Sequence, residues 1–178
     1  MRRGYICLLI LLALLVTLPA MAAETAEVTV TADPDWVSIS NSPSGLSLGA
    51  VDASSTHWAN GTAPSFPLDD SNSTYTLVND GSPTIDVDIA GANLTGAGGY
   101  QWTLGNSTGA NQYEVRVGIA GTDSLGNMTI LDLPGQEMIS SLTTGNYSRW
   151  EMVFYAPSSF TSDVAVSGTI TLTAREAS

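Results

Sequence analysis

The chain has 178 residues, with 17 acidic against 5 basic side chains, a formal charge of −12, one histidine and one cysteine. So acidic a composition repels nucleic acid and anionic lipid, which sets both aside as partners. A single histidine and a single cysteine cannot assemble the usual zinc ligand sets.

In chain order, the first element is an export signal. Arg2 and Arg3 precede an almost unbroken apolar run from Ile6 to Leu18, and Ala20-Met21-Ala22 supplies the small residues a signal peptidase needs. The apolar core is about 13 residues long, below the roughly 18 to 20 that cross a bilayer as a helix. Residues 1–22 therefore read as a cleaved signal peptide and residues 23–178 as a single domain, with an uncleaved N-terminal anchor as the alternative. Cys7 lies inside the apolar core and not after the small residues, so it does not fit a lipid-attachment cysteine. The expected product begins at or near Ala23 and carries no lipid. Intact mass of secreted material checks this, and retention of Met1 to Ala22 in the functional form would contradict it.

The mature chain keeps all 17 acids but only Arg116, Arg149 and Arg175, a formal charge of −14, and has neither lysine nor cysteine. Without disulfides the fold rests on its core alone, and about 155 residues are enough for one domain to bury a sizeable one. No second apolar segment follows, so membrane insertion of the mature chain is not expected.

Period-two alternation dominates the rest, which predicts short strands and no helix. The first is Val28-Thr29-Val30-Thr31, closed by Asp33-Pro34-Asp35. Val37 to Ser40 and Leu46 to Leu48 follow. Tyr75 to Val78 and Thr84 to Ile89 flank the turn signal Asn79-Asp80-Gly81-Ser82, which predicts a hairpin. Further strands are expected at Tyr100 to Leu104, Tyr113 to Ile119, Met128 to Leu131, Trp150 to Tyr155 and Thr169 to Thr173. Many short strands separated by Gly, Ser, Asn and Asp predict an all-β fold, a single antiparallel β-sandwich or jelly roll.

Six of the nine asparagines stand in Asn-x-Ser/Thr without an intervening proline: Asn60, Asn72, Asn93, Asn106, Asn127 and Asn146. Ser and Thr make up 41 of 178 residues, so composition alone yields about two such sites, and the excess predicts an N-glycosylated surface in an extracytoplasmic compartment.

Catalytic chemistry finds little support. His57 is the one histidine, no Gly-x-Ser-x-Gly elbow accompanies it, and an exposed loop histidine accounts for it. Asp86 and Asp88 share one strand face, while Ile85, Val87 and Ile89 share the other and are expected in the core. The pair reads as a solvated face. Asp69, Asp70 and Asn72 cluster in a loop and could offer oxygens to calcium, without the spacing of a 12-residue calcium loop. A glycosidase carboxylate pair stays open from sequence. Trp102 and Trp150 alternate with Leu104 and Met152 and read as core; Trp36 and Trp58 flank loops and are free to contact a sugar or a neighbouring subunit.

Two segments carry a resemblance. Glu27-Val28-Thr29-Val30-Thr31-Ala32 places a β-forming strand near the new N-terminus, and Gly168 to Ala174, preceded by Trp150 to Pro157, places another near the end. With the signal peptide and the size, the chain resembles the TasA/camelysin-type jelly-roll proteins that build extracellular fibres. That resemblance implies a subunit whose N-terminal strand inserts into the next copy. Trp102-Thr103-Leu104 is also similar to the first Trp-x-Leu motif of WxL cell-wall proteins, although Ile170-Thr171-Leu172 lacks the tryptophan of a second. The expectation is a non-enzymatic, secreted surface or fibre protein that self-associates. The rival is a carbohydrate- or cell-wall-binding module using Trp36 or Trp58, with cell-surface polysaccharide as partner.

Overall fold

The structure is a computed structural model and describes residues 36–178. The expected signal peptide and the expected strand at Val28 to Thr31 lie outside the described residues. The described chain forms β1 (Ile39–Ser42), β2 (Thr56–Trp58), β3 (Tyr75–Asn79), β4 (Ile85–Ala90), β5 (Leu94–Gly96), β6 (Gln101–Leu104), β7 (Gln112–Ile119), β8 (Thr129–Ile130), β9 (Gln136–Leu142), β10 (Tyr147–Tyr155), β11 (Val166–Ser167) and β12 (Thr171–Glu176). Its only helical segments are two three-residue 3-10 turns at Ala97–Gly99 and Leu125–Asn127. No helix among the described residues is long and apolar enough to cross a membrane. The all-β expectation holds.

Two sheets divide the strands. The larger runs β1-β3-β10-β7-β6-β5-β11, with β2 also pairing β10 and β8 pairing β7; the smaller is β12-β4-β9. Every strand pair is antiparallel except β6 with β7, where Thr103 and Leu104 run parallel to Gln112 and Tyr113. The alternation read from sequence is realised on β4, where Ile85, Val87 and Ile89 are fully buried. On β6 Trp102 and Leu104 turn inward while Gln101 and Thr103 stay exposed. These residues join Tyr75, Leu77, Tyr113, Val115, Trp150, Met152 and Phe154 of the larger sheet and Ile139 and Leu142 of β9 in one apolar cluster. Side chains from both sheets thus fill a common core, and each fully buried Val, Leu, Ile or Phe contributes about 1.5–3 kcal/mol relative to exposure.

Central strand β10 is buried on both faces. Val153 and Glu151 point away from the main core yet expose no surface, because loops cover the back of the larger sheet. Leu68 lies there, its amide donating to the Thr122 carbonyl at 2.8 Å and its carbonyl accepting from Gly121 at 2.7 Å. Gly118 on β7 makes the packing possible. A Cβ at that position would sit 2.9 Å from Leu68 Cδ1 and 3.0 Å from Met128 Cγ.

The hairpin expected across Asn79 to Ser82 is not formed. β3 pairs with β1 and β10 whereas β4 pairs with β12 and β9, so the turn carries the chain from one sheet to the other. Asn79 is the cause. Its buried side chain donates to the carbonyls of Pro83 and Leu142 at 2.8 and 2.9 Å and accepts from the Gly81 amide at 3.0 Å. That fixes a side-chain-capped crossover where a two-residue hairpin turn would need backbone pairing. Leu46 to Leu48 is not a strand either but irregular wall packing against the core.

Candidate functional site: an apolar cleft beside a sheet edge

Among the described residues the smaller sheet has three strands against nine in the larger one. Beside it lies a cavity of about 920 Å³. Its floor is the inner face of β3, β10, β7 and β6, represented by Tyr75, Trp150, Phe154, Tyr113 and Trp102. One wall is residues 44–51, which follow β1, and the other is residues 162–170 with Leu172 of β12. Among the described residues β12 pairs with β4 alone, so its other edge ends the smaller sheet beside the cleft. Such an edge presents unpaired backbone donors and acceptors to any strand that fits beside it.

The aromatic floor is held rigid. Tyr75 stacks on Trp150 with ring centroids 4.2 Å apart, and Trp102 stacks on Phe160 at 4.9 Å. Both indole donors are satisfied: Trp150 Nε1 donates to Asn41 Oδ1 at 3.0 Å, and Trp102 Nε1 to the Tyr100 hydroxyl at 3.0 Å. That hydroxyl in turn donates to Asn111 Oδ1 at 2.8 Å. The indole faces, not their polar edges, are thereby left for apolar contact.

Burial pushes the Tyr75 phenol up to about 12, with the charge of Glu151 adding to it, and burial alone pushes Tyr113 up to about 12. A raised folded-state pKa contributes stability that is complete below the unfolded value and is lost as pH rises through the folded one. For these tyrosines the window runs from about 10 to about 12. A phenolate absorbance titration should show at least two late-ionising tyrosines, followed by alkaline unfolding. Ionisation of every tyrosine together near 10 would contradict the buried floor.

Other expected sites fall elsewhere. Trp102 and Trp150 are core residues as expected, 7% and 2% exposed. Both residues of the Trp-x-Leu motif, Trp102 and Leu104, are turned inward and line the cleft. Trp36 is 55% exposed, and Trp58 on β2 is half-buried against Phe66.

His57 and Ser55 do meet, with Nε2 2.7 Å from Oγ. Ser55 Oγ also donates to the Asp52 carbonyl at 2.6 Å, so its one proton is already placed and the imidazole must donate to it. A base that has to donate cannot activate the hydroxyl, and the contact reads as a turn cap.

The acidic groups are largely absorbed by the fold. Asp69 Oδ1 accepts from the Ser71 hydroxyl and amide at 2.6 and 2.7 Å and from the Asn72 amide at 3.1 Å, which holds its carboxyl below the ordinary carboxylate value. Asn72 Oδ1 accepts from the Asp69 amide, and Asp70 accepts from the Tyr147 hydroxyl at 2.8 Å. Asp69, Asp70 and Asn72 therefore lie together, with oxygens engaged within the protein. No group of three or more His, Cys, Asp or Glu among the described residues is placed to hold a metal. The face carrying Asp86 and Asp88 is not simply solvated. Asp86 is 7% exposed and lies under Arg175, whose guanidinium reaches Asp86 at 2.7 Å and Glu137 at 2.8 Å.

The six sequons fall into different settings. Asn60, Asn106, Asn127 and Asn146 are exposed, whereas Asn72 and Asn93 are half-buried. Asn72 Nδ2 donates to the carbonyls of Ser65 and Pro67, and Asn93 Oδ1 accepts from the Leu104 amide at 2.9 Å. The cleft itself was not visible in the sequence, because its floor residues alternate like any core strand. Comparison with protein-family models, curated proteins and solved structures finds no match to this chain.

Proposed function

We infer that this chain is a secreted, non-enzymatic structural subunit: a β-sandwich of jelly-roll type that polymerises when the strand at Glu27 to Ala32 of one copy fills the cleft of the next. The observation that carries the reading is the apolar cleft of about 920 Å³ beside the edge of β12 that has no partner strand among the described residues. A strand laid along that edge extends the smaller sheet over the aromatic floor. Val28 and Val30 share one face of that strand, and burying each contributes about 1.5–3 kcal/mol. Thr29 and Thr31 then face outward. The contact is heterologous, so it propagates head to tail into an open filament. The paired Ser55 and His57 without an activated proton, and acidic groups engaged in turns and ion pairs, support a non-catalytic role.

One observation favours the rival polysaccharide-binding reading, the exposure of Trp36 at 55%. Electron microscopy of the purified mature protein separates the two. Filaments support the subunit. Discrete particles retained by cell-surface polysaccharide, with retention lost in Trp36→Ala, support the binding module and overturn the subunit.

A further inference from the structure

The sequence pattern treats six asparagines alike; the fold does not. A glycan acceptor must present its side-chain nitrogen to a bulky enzyme and afterwards hold a hydrated sugar. Asn60-Gly61-Thr62 and Asn106-Ser107-Thr108 are exposed at all three residues. Asn60 Oδ1 accepts from the Thr62 amide at 2.9 Å, a turn that occupies the oxygen and leaves the nitrogen for chemistry.

Asn72-Ser73-Thr74 is the opposite case. Both hydrogens of the Asn72 amide are committed, to the Ser65 carbonyl at 2.9 Å and the Pro67 carbonyl at 3.2 Å. Ser73 is 7% exposed. Thr74 donates its hydroxyl at 2.5 Å and its amide at 2.9 Å to Glu151, which is fully buried. The asparagine and the threonine of this triplet are thus accounted for by the packing of the loop onto β10. A glycosidic bond at Asn72 removes one of the two amide hydrogens and places a sugar where the loop closes on Leu68.

We propose that Asn60 and Asn106 are the principal N-glycan acceptors and that Asn72 is a structural residue left unmodified. None of the three lines the apolar cleft, so sugars at the two acceptors leave the cleft uncovered. This rests on export of the chain but not on polymerisation, and its test is independent of filament formation.

Glycopeptide mass spectrometry of protein from the native host should find Asn60 and Asn106 mostly occupied and Asn72 occupied at least tenfold less. Equal occupancy at Asn72, or both Asn60 and Asn106 bare, overturns the proposal. Asn72→Gln and Asn60→Gln in the mature protein give a second readout. The first should lower Tm by about 5 °C or more, and the second should remove one glycan mass with Tm nearly unchanged. A stability loss at Asn60 as large as that at Asn72 also overturns it.

Discussion

Asn79→Ala should destabilise the mature protein by about 3 kcal/mol, a drop in Tm on the order of 10 °C for a domain of this size. The side chain is fully buried and ties the end of β3 and the adjoining crossover at Gly81 to Pro83 to the distant end of β9 at Leu142. Its backbone adds a fourth link, since its amide donates to the Asn146 carbonyl at 2.9 Å and its carbonyl accepts from Gly145 at 2.9 Å. Alanine removes the amide donor from the Pro83 and Leu142 carbonyls, while the Gly81 amide keeps its second acceptor, the Ser38 carbonyl at 3.1 Å; each buried group left unsatisfied costs about 1–3 kcal/mol before relaxation. The packing gives no room for the turn to rearrange. A Cβ on Gly81 would approach the Ser38 amide nitrogen to 2.8 Å.

Asn79→Asp sharpens the test, because its shape is kept and only its donor is lost. An ionised carboxylate facing two carbonyls is disfavoured, so the aspartate acquires a raised pKa in the folded state. The variant should then recover stability as pH falls and the protonated acid donates to one carbonyl. Urea denaturation of the parent and both variants at two pH values measures this. A loss below about 1 kcal/mol in Asn79→Ala would mean that water replaces the amide and that the crossover does not depend on it.

These variants bear on what the sequence could reveal. Strands whose one face is buried announced themselves by alternation, as at Tyr75 to Val78, Thr84 to Ile89 and Tyr100 to Leu104, because the pleat imposes a period of two. β9 did not, for a physical reason. Its register against β4 shifts between Ile85 and Val87 and again between Val87 and Asp88, and Ser141 adopts φ 55°, so Ile139 and Leu142 are both buried at a spacing of three. The turn at Asn79 to Ser82 has hairpin composition, yet its buried asparagine is also held by the Leu142 carbonyl, 63 residues away and outside any local window. The sequons show the same limit. Three letters cannot distinguish an asparagine that caps a loop, such as Asn72, from one that offers its nitrogen to solvent, such as Asn60. The cleft was hidden for a further reason: Trp102, Tyr113 and Trp150 are patterned as core, and a strand's own alternation does not tell what lies over its inward face.

Deleting residues 23–32 should abolish filaments while leaving a folded monomer, and this is the largest functional effect expected of any change in the chain. The described residues of both sheets share one apolar core, so a truncated chain is expected to retain its cooperative unfolding. If residues 27–32 fill a neighbour's cleft as proposed, the deletion removes both the strand that would pair with β12 and the apolar side chains of Val28 and Val30 that would meet the floor of Tyr75, Trp102 and Trp150. In the sequence, Pro34 has no amide hydrogen to donate and biases Asp33 toward an extended conformation, so pairing is expected to be interrupted just after residues 28–31. A synthetic peptide of residues 23–35 added to the truncated protein should bind in the cleft and quench or shift the fluorescence of Trp102 and Trp150, again without polymerising. Milder changes scale the effect. Val30→Asp in the intact chain places a charge against six stacked or packed aromatic rings and should weaken assembly by several kcal/mol per contact, since an unpaired buried charge is among the costliest defects. Truncation that destroys the cooperative thermal transition, in a full-length protein that never assembles, would instead identify residues 27–32 as an ordinary strand of their own subunit. The peptide then becomes the deciding reagent: rescue of the fold without filaments places the strand in its own sheet, and rescue of binding to an already folded domain places it in a neighbour's.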